Sequence, residues 1–196
     1  MTRRASSRAN KAATADNTLR IIGGEWRSRK LQFPDVKGLR PTSGKIRETL
    51  FNWLGHQIIG ANILDMFAGS GALGFEAISR GAASVVMVEK DRRAAHQLKE
   101  NCQILQSSKA QVVNADSIAW SAKNIELFDL VFLDPPFAEE MLKECLELCK
   151  KGLVKLQGLV YLEAAKDYQV EIPVEFKVVK EKSSGNVRYQ LLQRVK

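Results

Sequence analysis

The segment LVFLDPPF, residues 130–137, ends an apolar run with a carboxylate, two prolines and an aromatic ring. Two successive prolines cannot donate main-chain hydrogen bonds, so they end a strand and leave carbonyl oxygens free to accept. Asp134 and the carbonyl of Pro135 offer paired acceptors for an amino group on a planar base, and Phe137 offers a ring on which the base can stack. We predict a catalytic motif of Asp134, Pro135, Pro136 and Phe137. The alternative is a strand stop with a core phenylalanine.

A glycine-rich loop lies upstream, in LDMFAGSGALGFEA at residues 64–77. Gly69, Gly71 and Gly74 have G-x-G-x-x-G spacing between a predicted strand and a predicted helix, and Glu89 follows 20 residues after Gly69. This pattern is typical of nucleotide-binding turns, in which glycines permit close approach and the carboxylate accepts from ribose hydroxyls. The motif predicts a nucleoside pocket beyond the carboxyl ends of the strands.

Asp65 argues against a dinucleotide as the ligand. It precedes Gly69 by four residues, where a carboxylate would repel a pyrophosphate and attract a cationic or amino-bearing ligand. S-adenosylmethionine has a sulfonium, an α-amino group and no phosphates, so it suits this loop better than NAD. A turn-capping role for Asp65 is the alternative. Asp116, in NADS, either accepts from the adenine amino group or is a plain helix N-cap. The predicted cofactor-binding residues are Asp65, Phe67, Gly69, Gly71, Glu89 and Asp116.

The elements that position these residues alternate β-branched runs with helical patterns, which predicts an α/β fold with a doubly wound, mostly parallel sheet. The predicted strands are 62–68, 84–89, 110–115, 128–134 and 158–164, and the predicted helices are 71–81, 91–106, 116–124 and 138–152. A carboxy-terminal antiparallel hairpin, 174–182 with 187–195, is predicted to close one edge of the sheet. Before the sheet, RIIGGEW and RKLQF predict a small hairpin, and residues 42–55 predict an amphipathic helix.

The net charge of +8 lies in the first quarter of the chain, where residues 1–48 hold 12 Lys and Arg against four acidic residues. Such asymmetry indicates a nucleic-acid or anionic-surface contact attached to a neutral body. Aromatic and glycine residues interleave with the charges in RIIGGEWRSRKLQF, which favours a nucleic-acid surface over a solvated tail. The predicted phosphate contacts are Arg20, Arg27, Arg29 and Lys30.

The composition, 45% apolar and 27% charged over 196 residues, is that of one globular domain with a small extension. We interpret residues 1–18 as a disordered basic tail because they lack the apolar core of a secretory signal; an organellar transit peptide is the alternative. No apolar run approaches the ~18 residues of a membrane helix. The cysteine and histidine spacings match neither a disulfide framework nor a zinc site. We therefore expect a reduced, cytoplasmic, metal-free protein.

The set DMFAGSGALGFEA, VEKD, NADS and DPPF resembles class I S-adenosylmethionine-dependent methyltransferases of the amino-methylating type. The flanking segments LRIIGGEWRSRKL and LRPTSGKIRETLFNWL are similar to the RsmD family, the bacterial 16S rRNA guanine(966)-N2 methyltransferases. The resemblance runs from Leu19 to the carboxy terminus. It implies a Rossmann-like fold, S-adenosylmethionine bound by Asp65, Gly69, Gly71, Glu89 and Asp116, and the guanine amino group held at residues 134–137.

The resemblance also implies that Arg40, Thr42 and Arg47 cover the active site or touch the substrate, 16S rRNA of the small ribosomal subunit. We expect a monomer divided into a tail (1–18), a basic hairpin and helix (19–55) and a methyltransferase domain (56–196). The target is expected to be a loop base or one rotated out of its stack. Three alternatives stay open: a nicotinamide-dependent oxidoreductase, an amino methyltransferase acting on adenine N6 or a glutamine side chain, and a non-catalytic RNA-binding module.

Overall fold

The computed structural model describes residues 17–36, 38–39, 41–135 and 139–196. In chain order the elements are β1 (Thr18–Arg20), β2 (Lys30–Gln32), α1 (Gly44–Leu54), β3 (Asn62–Asp65), α2 (Ala72–Ser79), β4 (Ser84–Glu89), α3 (Arg92–Ile104), β5 (Ala110–Asn114), α4 (Ser117–Ser121), β6 (Phe128–Leu133), α5 (Glu139–Leu148), β7 (Val154–Ala165), β8 (Phe176–Ser184) and β9 (Val187–Arg194). A 3₁₀ turn, Gly55–Ile58, follows α1, and a π-helical turn, Cys149–Leu153, follows α5.

Seven strands form one sheet in the order β5-β4-β3-β6-β7-β9-β8. The first five are parallel, and β9 pairs antiparallel with both β7 and β8. This arrangement confirms the predicted mostly parallel sheet with a carboxy-terminal hairpin. The chain leaves β3 towards β4 and later leaves β6 towards β7, in the opposite direction, so the crevice between β3 and β6 is the switch point where ligands of such sheets bind.

Each face of the sheet carries its own hydrophobic core. Ile63, Phe132 and Tyr161 belong to one core, and Leu64 and Val131 belong to the other. Because the parallel strands are buried on both faces, their sequences are near-continuous apolar runs. In the described residues no helix is long and apolar enough to cross a membrane.

The amino-terminal segment, residues 17–33, packs into the first of these cores through Leu19, Ile21, Trp26 and Leu31. Its β1 and β2 form a two-stranded antiparallel sheet, which confirms the predicted hairpin. The prediction of its first strand was wrong, because that strand is Thr18–Arg20 and most of RIIGGEW forms the connection to β2. Gly24 has φ +75°, and a Cβ there would lie 1.8 Å from the carbonyl oxygen of Ser79 on α2. The glycines of RIIGGEW therefore permit this segment to approach the end of α2 closely.

The prediction for β7 was wrong at its start, which lies at Val154 and not at Gly158. Val154 pairs with Phe128, and the pairing register with β6 then shifts between Phe128 and Leu130. A Cβ on Gly158 would lie 2.8 Å from the carbonyl oxygen of Lys155. A glycine inside a strand pattern marks such an irregularity. Because the prediction begins the strand at Gly158, it leaves out the residues before it.

Candidate functional site

A cavity of about 660 Å³ opens at the carboxyl ends of the central parallel strands. The loop after β3, the residues after β4 and the start of α4 form its walls. Residues 36, 38–39 and 41–42, between the amino-terminal hairpin and α1, also line it. The cavity lies at the switch point of the sheet, and it brings together Asp65, Phe67, Gly69, Glu89, Asp116, Thr42 and Asp134.

Asp65 is the last residue of β3, and its side chain is buried. The main-chain N–H of Gly74 donates to its Oδ2 at 3.1 Å. Burial, followed by the charge of nearby Asp134, raises the pKa of Asp65 to about 7. A carboxylate desolvated in this way is stabilised by a cationic ligand. The site therefore suits an amino or sulfonium group better than a phosphate.

Glu89, the last residue of β4, also lines the cavity. Its Oε2 accepts from the main-chain N–H of Gly69 at 2.8 Å, and its Oε1 accepts from that of Asp91 at 2.7 Å. These two bonds fix the carboxylate at the cavity wall, where vicinal hydroxyls can donate to it. At Gly69 a Cβ would meet nothing closer than 3.8 Å, so a side chain there would occupy cavity space.

Gly71 shapes the turn and is not part of the cavity wall. It has φ +79° at the N-cap of α2, and a Cβ there would lie 2.4 Å from the ring of Phe75. Only glycine combines this backbone conformation with so close an approach. It places the neighbouring Gly69 and Ser70, which do line the cavity, and a contact between Gly71 and the cofactor stays a prediction.

Asp116 is the N-cap of α4, where its Oδ1 accepts from the main-chain N–H of Ala119 at 3.1 Å. Its Oδ2 accepts from Lys90 Nζ at 3.1 Å, and the Ala119 hydrogen bond, aided by Lys90, lowers its pKa. Asp116 also lines the cavity beside Ser117 and Ile118. The N-cap interpretation is confirmed, and the contact with an adenine amino group stays a prediction.

Asp134 directly follows β6 and lies at the same edge as Asp65, because β3 and β6 are neighbouring parallel strands. Its Oδ2 accepts from the Thr42 hydroxyl at 3.2 Å. Burial raises the pKa of Asp134 to about 6, against the opposing effect of that hydrogen bond. Thr42 therefore contacts the candidate catalytic carboxylate and lines the cavity, and its role in covering the active site or touching substrate stays a prediction. Pro135 is buried; Pro136, Phe137 and Arg40 lie outside the described residues.

The resemblance implies that Arg47 covers the active site or touches the substrate, and the structure places its side chain inside the protein. Its guanidinium is buried, donates to the main-chain carbonyls of Thr42 (3.2 Å) and Arg20 (3.0 Å), and pairs with Glu76 at 3.3 Å. Burial lowers its pKa, and the charge of Glu76 partly offsets this effect. A guanidinium enclosed by protein acceptors is a structural link, and it does not face an RNA phosphate. The predicted phosphate contacts Arg20, Arg27, Arg29 and Lys30 are all exposed.

Two buried acids near the site were not predicted from the sequence. Glu76, on α2, accepts from the main-chain N–H groups of Ile22 and Gly23 at 2.8 Å each and thereby holds the amino-terminal segment. Glu163, on β7, accepts from Tyr161 Oη at 2.7 Å. The available signal was the same in both cases: one acid inside an otherwise apolar segment.

Comparison with known proteins identifies the family. Residues 19–193 match the model of a family described as conserved hypothetical protein 95. The chain is 43% identical over 178 residues to ribosomal RNA small subunit methyltransferase D of Escherichia coli K12, covering 90% of each chain. It is 44% identical over 184 residues to the protein of the same name from Haemophilus influenzae, covering 91% of this chain and 95% of the relative. The chain belongs to the RsmD family.

Solved structures agree with membership of the RsmD family. The Escherichia coli protein yhhF, provisionally assigned as a methyltransferase, superposes with a TM-score of 0.84 at 43% identity, over 91% of this chain and 98% of that one. The Thermus thermophilus 16S rRNA N2 G1207 methyltransferase, solved with AdoMet and guanosine, superposes with a TM-score of 0.65 at 22% identity, over 91% of this chain and 49% of that one. The latter likeness shows the Rossmann-like fold alone.

Proposed function

We propose that this protein transfers a methyl group from S-adenosylmethionine to the N2 amino group of a guanine in 16S rRNA of the small ribosomal subunit. The observation that carries the proposal is the placement of Asp65 and Asp134 on neighbouring strand ends in one cavity. The first carboxylate suits a cationic cofactor, and the second suits an amino group. The names of the relatives supply the RNA as the substrate class.

The cavity walls fit the parts of S-adenosylmethionine. Glu89 accepts from the ribose hydroxyls, Asp65 attracts the positive charge, and Phe67 and Gly69 line the loop between them. When bound, the cofactor supplies a methyl group on a positively charged sulfur that leaves as a neutral thioether. Asp116 stays available at the far wall for the adenine amino group, although it already caps α4.

Asp134 then acts on the target amine. Its carboxylate and the Pro135 carbonyl accept from the two N–H bonds, which turns the nitrogen lone pair towards the methyl carbon. Because the pKa of Asp134 is about 6, the carboxylate is mainly ionised at neutral pH. It can receive the proton that the nitrogen releases after it gains the methyl group. Fixed placement of the amine supplies the larger part of the acceleration.

The amino-terminal segment is proposed to bind the RNA backbone. Arg20, Arg27, Arg29 and Lys30 are exposed on the hairpin, and the chain continues from that hairpin into residues that line the cavity. Phosphate contacts from the hairpin would give affinity, while the cavity would select the base. We further propose that the protein acts as a cytoplasmic monomer without a metal; in the described residues no group of His, Cys, Asp and Glu side chains could hold a metal ion.

The test uses methyl-labelled S-adenosylmethionine and small ribosomal subunits from cells that lack this gene. After incubation, the RNA is digested and the labelled nucleoside is identified; naked 16S rRNA is assayed in parallel. We expect labelled N2-methylguanosine. A label on N6-methyladenosine or on a protein glutamine would show methyl transfer to a different target and would contradict guanine as the substrate. Failure to bind S-adenosylmethionine, with NAD binding instead, would overturn the methyltransferase proposal.

A further inference from the structure

Thr42 directly precedes the N-cap of α1, and the start of that helix restricts its main chain. Ser43 is the N-cap, where its hydroxyl accepts from the main-chain N–H of Ile46 at 3.3 Å. Pro41 lies on the other side of Thr42, and its ring fixes its own backbone φ angle. The main chain of Thr42 therefore lies between a capped helix and a rigid residue.

Arg47 binds the main chain of Thr42 from inside the protein. Its Nε donates to the Thr42 carbonyl oxygen at 3.2 Å, and its guanidinium also pairs with Glu76 at 3.3 Å. Both side chains of this ion pair are buried. A guanidinium presents its donors in one rigid plane, so bonds to several buried partners fix its position. Thr42 is thus attached to a rigid part of the protein.

The side chain of Thr42 contacts the candidate catalytic carboxylate. Its hydroxyl donates to Asp134 Oδ2 at 3.2 Å, and both residues line the cavity. This distance is longer than the roughly 2.7 Å that is typical of a hydroxyl donor. Hydrogen bonds at an active site are often long before the substrate binds and shorten in the complex. The Thr42 hydroxyl is therefore already aimed at one oxygen of Asp134.

Asp134 needs a contact outside its own strand to present its carboxylate in one orientation. Its main chain is placed by β6, which ends one residue earlier at Leu133. The torsion that turns a carboxyl group about its own bond has a broad energy minimum. The strand therefore fixes where the carboxyl group of Asp134 lies, but it does not fix how that group is turned. The bond from Thr42 to Oδ2 supplies the missing constraint.

We propose that Thr42 is a positioning residue, whose hydroxyl holds Asp134 Oδ2 and thereby leaves Oδ1 turned towards the target amino group. Thr42 acts through Asp134 and exchanges no proton with the substrate. The inference rests on the proposed methyl transfer, since it assigns Asp134 to the target amine. It also links the chemistry to the candidate RNA surface, because Arg47 binds the carbonyl oxygens of both Thr42 and Arg20.

Two substitutions at Thr42 separate the effect of its hydroxyl from that of its shape. Thr42→Val keeps the branched side chain and removes the donor, so kcat should fall on the order of tenfold to a hundredfold, as it does when a reacting group is misplaced. Thr42→Ser keeps the donor and should retain most of kcat. Thr49→Val is the matched control, because it removes a hydroxyl of α1 that bonds the Lys45 carbonyl at 2.9 Å outside the cavity. Equal losses in Thr42→Val and Thr42→Ser would overturn the proposal.

Binding measurements distinguish positioning from direct contact with a ligand. Because Thr42 lines the cavity, the loss of a contact with the cofactor or the RNA would appear as weaker binding. In Thr42→Val, the dissociation constant of S-adenosylmethionine and the KM for small ribosomal subunits should each stay within about twofold of the wild-type values. Weaker binding of either ligand with an unchanged kcat would make Thr42 a binding residue and would overturn the proposal.

A double substitution tests whether Thr42 acts through Asp134. Asp134→Asn removes the carboxylate that Thr42 orients, so adding Thr42→Val should lower the single-turnover rate by less than about threefold further. Losses that multiply in full would give the two residues independent roles and would overturn the inference. A wild type that methylates no RNA would instead contradict the proposed function. An active wild type with an equally active Thr42→Val variant would contradict this inference alone, so the two failures are distinguishable.

Discussion

The guanidinium of Arg47 and the carboxylate of Glu76 form a buried ion pair, with Nη1 3.3 Å from Oε2. Glu76 also binds the main chain of the amino-terminal segment, and Arg47 binds the carbonyl of Thr42. One pair of side chains thus joins α2, the basic hairpin and the residue that donates to Asp134. The candidate active site and the candidate RNA surface share this support.

Glu76→Ala is expected to destabilise the protein strongly. It leaves Arg47 buried without its carboxylate and removes the acceptor of two main-chain N–H groups, so the free energy of unfolding should fall by about 3–5 kcal/mol. Chemical denaturation monitored by circular dichroism measures this change. Glu100→Ala, at a half-exposed position on α3, serves as the control and should change stability by less than about 0.5 kcal/mol. Similar values for both variants would show that the buried pair contributes little.

Asp134→Asn is expected to lower turnover far more than cofactor affinity. The amide has one acceptor oxygen and no negative charge, so it cannot receive the proton from the amine; kcat should fall on the order of a hundredfold to a thousandfold. The dissociation constant of S-adenosylmethionine, measured by calorimetry, should change little. Asp129→Asn, at the opposite end of β6 from Asp134, controls for effects on the strand. Equal losses in turnover and in cofactor affinity would contradict the assignment of Asp134 to the target amine.

Cofactor affinity is expected to depend on pH through Asp65. Only the ionised carboxylate attracts a cation, and its pKa in the free protein is about 7. Asp65 therefore gains a proton as the pH falls from 7 to 6, and the affinity for S-adenosylmethionine should fall by about fivefold over that range. Calorimetric titrations across this range measure the effect. Asp65→Asn should bind weakly at every pH with a flat profile; a wild-type profile that is equally flat would contradict the assignment.

The sequence predicted the sheet and the cavity well because both depend on local patterns. The runs before Asp65, Glu89 and Asp134 are apolar in almost every residue, which marks strands buried on both faces, and the glycines between the first strand and helix follow turn geometry. Each candidate carboxylate could therefore be placed at a strand end. The order of the strands then brings these ends together, as in other open α/β sheets.

The sequence did not predict interactions between distant segments. Thr42 and Asp134 are 92 positions apart, and Arg47 and Glu76 are 29 positions apart. An arginine beside a candidate RNA segment has the same local pattern whether it faces a phosphate or a buried acid. Its environment is decided by which helix packs against it. Glu163 was missed for the same reason, since only the pairing of β7 with β6 places it beside Asp134.

Removal of Arg27, Arg29 and Lys30 is expected to flatten the salt dependence of RNA binding. Each Lys or Arg that contacts a phosphate releases counterions, so replacement of all three by alanine should reduce the slope of log K against log salt by about 2 to 3. Filter-binding assays over a series of salt concentrations measure the slope. The matched control removes Lys177, Lys180 and Lys182, which are exposed on β8 and carry the same total charge. We expect the control to keep the wild-type slope; an unchanged slope in the hairpin variant, or an equal loss in both, would place the RNA on another surface.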